Sequence, residues 1–134
     1  MISKFGKVMI YVKDPRGVAD FWIDKIGFTE IKAETHETGI VSVELAPNNM
    51  SDASIVLFDR GIVEKMSPEL NLGTPSILFS SYDVRDMRNR LIKNEVNIGE
   101  VMEIGDSITF NFSDIEGNYF AVQEIRRLIT CGTK

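Results

Sequence analysis

The chain is poor in the residues that form covalent cross-links and zinc sites, because its 134 residues include one cysteine, Cys131, and one histidine, His36. A single thiol can form no internal disulfide and no cysteine-based zinc site. Such scarcity of cysteine is compatible with a reducing compartment, and we expect a cytoplasmic protein. His36 lies at the end of a predicted hairpin strand, where we expect a solvated turn residue rather than a metal ligand.

Long apolar stretches are also absent. No segment approaches the roughly 20 consecutive apolar residues that a membrane-spanning helix requires. The first fourteen residues have no long apolar run after their charges, so we expect no signal peptide. The sequence therefore predicts a protein with no membrane partner.

Several motifs that carry chemistry are missing as well. The chain contains neither the Gly-x-Ser-x-Gly motif of a hydrolase nucleophile nor the Gly-x-Gly-x-x-Gly motif of a dinucleotide site. It has no basic stripe with interleaved aromatic residues. Its 20 acidic and 15 basic residues give a net charge of −5. This charge repels nucleic-acid phosphates and mildly favours cationic partners, so we expect no nucleic-acid partner.

The composition that remains is that of an ordinary globular protein, 43% apolar and 26% charged, in a length that suits one domain. Asp14 at a cap position, Pro15 at the first helical position and Gly27 as a C-terminal stop predict a helix over residues 15–26. Alternating β-forming residues predict four strands in this half, with a hairpin turn at residues 37–39. These strands are 7–12, 28–36, 39–46 and 53–59.

The same order then recurs after a charged segment broken by glycine and proline, residues 60–74, where we expect a short helical turn around residues 62–66. Asp83 caps a second predicted helix. Four more strands are predicted at 76–81, 96–104, 107–114 and 118–125. The pattern predicts one domain over residues 1–134, of the α+β class with two β-α-β-β-β modules. Its parts are module one at about 5–59, a linker at 60–74, module two at about 75–126, and a tail at 127–134 that is frayed or lies on a surface.

Two stretches carry a family resemblance. The segment YVKDPRGVADFWIDKIGF (11–28) is similar to the opening strand, helix and "LGF" signature of the vicinal oxygen chelate superfamily. The segment DIEGNYF (114–120) is similar to its "DPDGN" turn, with Ile115 in place of the proline. This superfamily includes glyoxalase I, extradiol dioxygenases, and fosfomycin and bleomycin resistance proteins. The resemblance implies two partly open mixed-sheet barrels around a cavity, and a homodimer.

The resemblance also implies where a metal would be held. Metal-using members place His or Gln on the first strand, Glu on the fourth, His on the fifth and Glu on the eighth. Counting residues along the chain from the family motifs puts Lys7, Ser76 and Ala121 at the first-, fifth- and eighth-strand positions. The fourth-strand position falls on Val56 or Leu57. An ammonium has no free lone pair for a metal, a neutral hydroxyl is a poor ligand, and the other side chains have no donor. We therefore expect no metal and no cofactor.

Strand alternation predicts which side chains line the cavity. If Lys7 faces it, so do Met9 and Tyr11, while Val8, Ile10 and Val12 face the helix. The resulting pocket is mostly apolar and moderately polar, which suits a small organic ligand of cationic or aromatic character. Lys7 either pairs with a carboxylate at the vacant metal position or binds an anionic ligand. The predicted ligand-binding residues are Lys7, Met9, Tyr11, Glu44, Ser76, Leu78, Asn111, Tyr119, Ala121 and Gln123.

Three functions remain open at this point. The first is a metal-free binder similar to the bleomycin resistance proteins, which sequester a drug by stacking flat rings on aromatics and attracting its cations with acidic groups. The second is a metal-dependent glyoxalase-like lyase or dioxygenase with non-standard ligands such as Glu30, Glu44 or Glu124. The third is a scaffold that acts only through protein contacts. No catalytic residue is assigned, and the sequence leaves open whether the protein is an enzyme.

Overall fold

The computed structural model describes residues 1–37 and 39–125. These residues form three α-helices, one π-helical turn and nine β-strands arranged in two mixed sheets that do not close on themselves. The predicted α+β class is thereby confirmed. Across the described ranges every helix is too short and too polar to pass through a bilayer. The predictions for Thr38 in the hairpin turn, for Cys131 and for the tail 127–134 lie outside the described residues.

The chain divides into two compact units. The first unit contains residues 1–75 together with residues 114–118, and the second contains residues 76–113 and 119–125. The organisation as one domain with a linker at 60–74 stays a prediction, and each unit is described by itself below.

The first unit contains a four-stranded sheet in the order β1-β4-β3-β2. Strands β1 and β4 are parallel, and the other neighbouring pairs are antiparallel. The short helical turn predicted near residues 62–66 is present as α2. The elements of this unit are β1 (Lys7–Val12), α1 (Pro15–Phe21), the π-helical turn (Trp22–Ile26), β2 (Thr29–His36), β3 (Gly39–Ala46), β4 (Ser54–Asp59) and α2 (Arg60–Met66).

The first helix begins and ends where the sequence predicts. The Asp14 carboxylate accepts a hydrogen bond from the Gly17 N–H at 3.1 Å, which satisfies one of the unpaired donors of the first turn. The last turn widens, because the N–H groups of Gly27 and Phe28 both donate to the Trp22 carbonyl at 2.9 Å. Gly27 ends the helix with a φ of 97°, a conformation that costs a residue with a side chain about 1 kcal/mol or more. Trp22 is fully buried by this arrangement.

The two faces of the first sheet differ sharply in polarity. The side chains of Ile10, Val43 and Leu57 point to the face that α1 covers, and they are fully buried. Because successive side chains of a strand alternate, the intervening residues lie on the opposite side, here named the far face of the first sheet. It carries Lys7, Met9 and Tyr11 on β1, Ser42 and Glu44 on β3, and Ser54, Val56 and Phe58 on β4.

The second unit contains a sheet in the order β5-β9-β8-β6, with β7 also paired to β8. Strand β5 is parallel to β9, and the remaining pairs are antiparallel. Asp83 caps α3 as predicted, accepting from the Asp86 N–H at 3.0 Å. The elements are β5 (Leu78–Ser81), α3 (Val84–Lys93), β6 (Asn97–Ile98), β7 (Met102–Ile104), β8 (Ser107–Ser113) and β9 (Tyr119–Glu124).

Two predicted strands of this unit differ from those observed. The strand predicted over 96–104 is interrupted at Gly99, whose N–H donates to the Asn111 carbonyl at 2.7 Å while its own carbonyl accepts from the Arg88 guanidinium at 3.0 Å. The Arg88 side chain therefore bonds to the Gly99 carbonyl in place of a neighbouring strand, and the segment forms two short strands instead of one. The strand predicted from Ser76 begins at Leu78, because pairing to β9 starts with the Ile77 carbonyl, which accepts from Ala121 N–H at 3.1 Å.

The second sheet is also divided between a buried and an outer face. Phe110, Phe112, Phe120 and Val122 are buried on the side of α3, and the rings of Phe112 and Phe120 lie 5.7 Å apart. The opposite side is here named the far face of the second sheet. It carries Leu78, Ser80, Thr109, Asn111, Tyr119, Ala121 and Gln123.

The turn between β8 and β9, residues 114–118, belongs to the first unit. One Asp114 carboxylate oxygen accepts from the N–H groups of Glu116 and Asn118 at 2.9 Å, and the other accepts from the Asn118 amide at 2.9 Å. Glu116 in turn accepts from the N–H groups of Lys13 and Asp14, with the shortest distances at 2.9 Å. The turn is therefore held by its own side chains and fastened to the start of α1.

Candidate functional site

The predicted site residues fall into two groups, one on each far face. Lys7, Met9, Tyr11 and Glu44 share the far face of the first sheet, where Val56 lies opposite both Met9 and Glu44. In the second unit Ala121 lies opposite both Leu78 and Asn111. Gln123 lies one row further, and its amide donates to the Ser80 hydroxyl at 3.3 Å. Tyr119 is exposed at the start of β9, and Ser76 is exposed just before β5.

The first group contains a polar cluster that joins three strands. The Lys7 ammonium donates to Oε1 of Glu44 at 3.2 Å, and the Ser54 hydroxyl donates to Oε2 of the same carboxylate at 2.7 Å. The Lys7 side chain is 56% exposed and that of Glu44 only 16%. Of the two roles open to Lys7 from the sequence, the structure shows pairing with a carboxylate. Because this pairing uses one of its three N–H donors, Lys7 can still donate to another group.

Surrounding donors lower the pKa of Glu44. The Ser54 hydrogen bond is the largest cause, followed by the hydrogen bond and charge of Lys7 and the charge of Lys32, while burial acts in the opposite direction. A carboxylate with a lowered pKa stays ionised at neutral pH and is a weak proton acceptor. Glu44 is thus suited to holding a positive group rather than to removing a proton.

The lowered pKa predicts how stability depends on pH. Above the unfolded-state pKa of about 4.3, ionised Glu44 stabilises the fold, and this contribution is lost as pH falls through the lower folded-state pKa. We expect Glu44→Gln to reduce the free energy of unfolding by about 1–2 kcal/mol at pH 7. The difference from wild type should shrink below about pH 4.3 in urea denaturation followed by circular dichroism. Glu69→Gln, at an exposed carboxylate, is the control, and a Glu44 difference that is equal at pH 3 and pH 7 would contradict the assignment.

The side chains at the family's metal positions do not fit a divalent ion. At the first strand stands the Lys7 ammonium, already bound to Glu44. Of the two candidates for the fourth-strand position, Val56 lies on the far face, whereas Leu57 points to the helix side and is fully buried. The hydroxyl of Ser76 and the methyl group of Ala121 complete the set. Within residues 1–37 and 39–125, no three or more His, Cys, Asp or Glu side chains gather closely enough to hold a metal.

The alternative carboxylate ligands are engaged elsewhere. Glu30 accepts from the Arg16 guanidinium at 2.7 Å, and Glu124 accepts from the Val84 N–H at 3.0 Å next to the cap of α3. Glu44 is held by Lys7 and Ser54 as described above. His36 is exposed at the end of β2, opposite Gly39. The three carboxylates are therefore already bound to other protein groups, and the histidine is a solvent-exposed residue at a strand end.

A cavity of about 230 Å³ opens beside the polar cluster, wholly within the first unit. It lies where β1 and β4 begin, next to the loop between β3 and β4. Residue patterns alone did not single out most of its lining, because the parallel register that brings Lys7 beside Ser54 is set by the sheet. The lining residues are Lys4, Gly6, Lys7, Ile31, Glu44, Ala46, Asn48, Asn49, Ser51, Asp52, Ala53 and Ser54.

Comparison with known proteins agrees with this fold. The sequence model of the Glyoxalase/Bleomycin resistance protein/Dioxygenase superfamily matches residues 4–122, and the chain belongs to this superfamily. It is 28% identical over 127 residues to the uncharacterized protein YetH of Bacillus subtilis (strain 168), covering 92% of this chain and 100% of that protein.

Solved structures of different function share the fold. TnmS3, an antibiotic binding protein from Streptomyces sp. CB03234, superposes with a TM-score of 0.75 at 23% identity, covering 92% of this chain and 96% of that one. Lactoylglutathione lyase from Agrobacterium tumefaciens superposes with a TM-score of 0.72 at 17% identity, covering 92% and 95%. The fold therefore accommodates both binding and catalysis, and the site residues must distinguish them.

Proposed function

We propose that this protein binds a small organic molecule through the far faces of its sheets and does so without the metal that other members of the superfamily use. The proposal rests on the chemistry of the side chains at the metal positions. It is supported by structural similarity to an antibiotic binding protein. Sequestration of a drug or metabolite is the corresponding biological role.

One observation carries the proposal. At the first-strand position, where a metal-using relative needs a lone pair, the ammonium of Lys7 donates to Glu44 at 3.2 Å. A positive charge held in this place opposes a divalent ion, since like charges a few Å apart repel strongly in a partly covered site. The Ser54 hydrogen bond, together with the Lys7 pairing, lowers the pKa of Glu44, so this carboxylate is a weak base at neutral pH.

The apolar and aromatic side chains of the far faces, of which Tyr11 is half-buried, indicate the ligand class. Met9 and Tyr11 on the first sheet, and Leu78 and Tyr119 on the second, offer apolar and aromatic surface, with Leu78 52% and Tyr119 65% exposed. Such surface suits flat rings, and an aromatic contact contributes about 0.5–1.5 kcal/mol beyond its area. The net charge of −5 favours a ligand that is also cationic.

A fluorescence titration with a planar cationic acridine dye tests the proposal. We expect saturable binding. Tyr11→Ala should weaken binding at the far face of the first sheet, and Tyr119→Ala binding at the far face of the second, each about three- to tenfold, because each removes a ring contact from its own sheet. Tyr82→Ala removes an exposed tyrosine outside the sheets and should leave the affinity unchanged. A planar anionic naphthalene sulfonate should bind more weakly. Failure of every planar cation to bind would contradict this function.

Elemental analysis separates the proposal from the metal-dependent alternative. Protein purified without chelator should contain far less than one divalent ion per chain, and dye binding should survive treatment with a chelator. A stoichiometric ion would favour a lyase or dioxygenase with non-standard ligands. The homodimer implied by the resemblance stays a prediction, which sedimentation velocity can test.

A further inference from the structure

The cavity beside the polar cluster has features of a second kind of site. Its volume of about 230 Å³ is below the roughly 300–1,000 Å³ of pockets that enclose drug-sized ligands. All of its lining residues come from the first 54 positions of the chain. A Cβ placed on Gly6 in its wall would meet no heavy atom within 4 Å, so the space there is open. The cavity thus has room for a metabolite-sized molecule.

Charges of both signs line this cavity in equal number. Lys4 and Lys7 are positive, and Glu44 and Asp52 are negative. Glu44 is occupied by Lys7 and Ser54, whereas within the described residues Lys4 and Asp52 form no ion pair. A ligand can therefore meet cationic donors from the lysines and an anionic acceptor from Asp52. A purely anionic molecule can pair only with the lysines, and a purely cationic molecule can pair only with Asp52.

Part of the polar lining, Lys7, Glu44 and Ser54, is held in place before any ligand arrives. Glu44 restrains the Lys7 ammonium, and Ser54 restrains Glu44 in turn. The loop between β3 and β4 is closed by its own side chains, since Asn48 accepts from the Met50 N–H at 2.8 Å and Ser51 donates to the Ala53 carbonyl at 2.6 Å. Fixed donors and acceptors lower the ordering cost of binding.

We infer that this cavity binds a small zwitterion of amino-acid size, with the ligand carboxylate on Lys7 and Lys4 and the ligand ammonium on Asp52. The amide of Asn49 lies in the same wall and adds a neutral donor and acceptor. This site goes beyond the proposed function, because it takes a compact, doubly charged molecule rather than a flat aromatic one.

Titration with γ-aminobutyrate, butyrate and butylamine, three probes of the same chain length, tests the inference. Isothermal titration calorimetry should give a dissociation constant for γ-aminobutyrate about tenfold or more below that of either single-charge probe, since the second charge-assisted bond adds about 1.4 kcal/mol. Backbone amide NMR shifts should change at residues 4–7 and 48–54.

Variants test which side chain of the cavity binds each charge of the ligand. Lys7→Met should reduce the advantage of γ-aminobutyrate over butylamine, because only Lys4 then remains for the carboxylate, and Asp52→Asn should remove its advantage over butyrate. Lys65→Met and Asp106→Asn alter exposed charges outside the cavity and should leave all affinities unchanged. If Lys7→Met does not fold, Asp52→Asn decides alone, because Asp52 is an exposed loop residue.

Two results would overturn the inference. One is equal affinity for the zwitterion and both single-charge probes, and the other is an advantage that persists in Asp52→Asn. These outcomes are independent of dye binding, which tests the proposed function through Tyr11 and Tyr119. Dye binding without zwitterion binding would leave the proposed function standing and remove only this site.

Discussion

Replacing Asp114 with alanine is expected to lower the free energy of unfolding by about 3 kcal/mol, because a buried acceptor is removed and its donors stay. Asp114 is 6% exposed and accepts from two backbone N–H groups and from the Asn118 amide, all at 2.9 Å. Alanine leaves these three donors without their acceptor. Urea denaturation followed by circular dichroism at pH 7 measures the loss.

Two matched variants test whether the loss of stability comes from the hydrogen bonds to the Asp114 carboxylate. Asp106→Ala removes an exposed carboxylate from the turn between β7 and β8 and should change stability by less than about 0.5 kcal/mol. Asp114→Asn should be intermediate, since its amide oxygen can accept the backbone bonds but its NH₂ group faces the Asn118 amide. If Asp114→Ala behaved like Asp106→Ala, the turn would not depend on this carboxylate.

Replacing Trp22 with alanine is expected to cost about 4 kcal/mol, within the 3–5 kcal/mol typical of deleting a buried aromatic side chain. Trp22 is 0% exposed, and its ring lies 4.8 Å from that of Phe28 and 6.2 Å from that of Phe21. Proteins of this size are stable by about 5–15 kcal/mol, so the loss is a large share of the total. The midpoint of urea denaturation, followed by circular dichroism, should fall accordingly.

Exposed and conservative variants control for this effect. Phe5→Ala deletes an aromatic ring that is 74% exposed and should change stability by less than about 0.5 kcal/mol. Trp22→Phe keeps a ring in the core and should lose less than Trp22→Ala. A Trp22→Ala protein as stable as Phe5→Ala would show that the turn after α1 tolerates a cavity.

The stability losses expected for Asp114→Ala and Trp22→Ala arise away from the far faces, the first in a turn and the second on the helix side of the first sheet. The strands stabilise the units through one set of alternate residues, such as Ile10 and Leu57, and present the other set outward. Substitutions at exposed positions of the outward set, such as Met9 and Leu78, therefore change the chemistry at small cost to the fold. This separation explains how one superfamily fold can hold a metal in some members and, as we propose, none here.

The character of Glu44 bears on the choice between binding and catalysis. A metal-dependent isomerase needs a carboxylate that accepts a proton, which requires a pKa near the working pH. The hydrogen bonds from Ser54 and Lys7 move the pKa of Glu44 in the opposite direction. Its ionised oxygens instead suit a role in restraining Lys7.

Local signals in the sequence were sufficient for the helix boundaries and for the order of elements. Asp14, Asp83 and Gly27 act through bonds or dihedral angles within a few residues, and each was found where predicted. The break at Gly99 was missed, because it depends on Arg88 reaching back from α3. The fourth-strand position was ambiguous by one residue until the register placed Val56 on the far face.

By itself, the sequence determined the superfamily, the two successive modules and the absence of lone-pair donors at the motif-derived positions Lys7 and Ala121, because these follow from residue identity and short-range spacing. Only the tertiary structure decided that Lys7 and Ser54 both donate to Glu44 and that a charged cavity lies beside them. Those contacts join residues 37 and 10 positions apart, which the register of β1, β3 and β4 brings together. A period-two pattern assigns a side chain to a face but not to its neighbour on the next strand, since strand register is set by packing of the whole sheet.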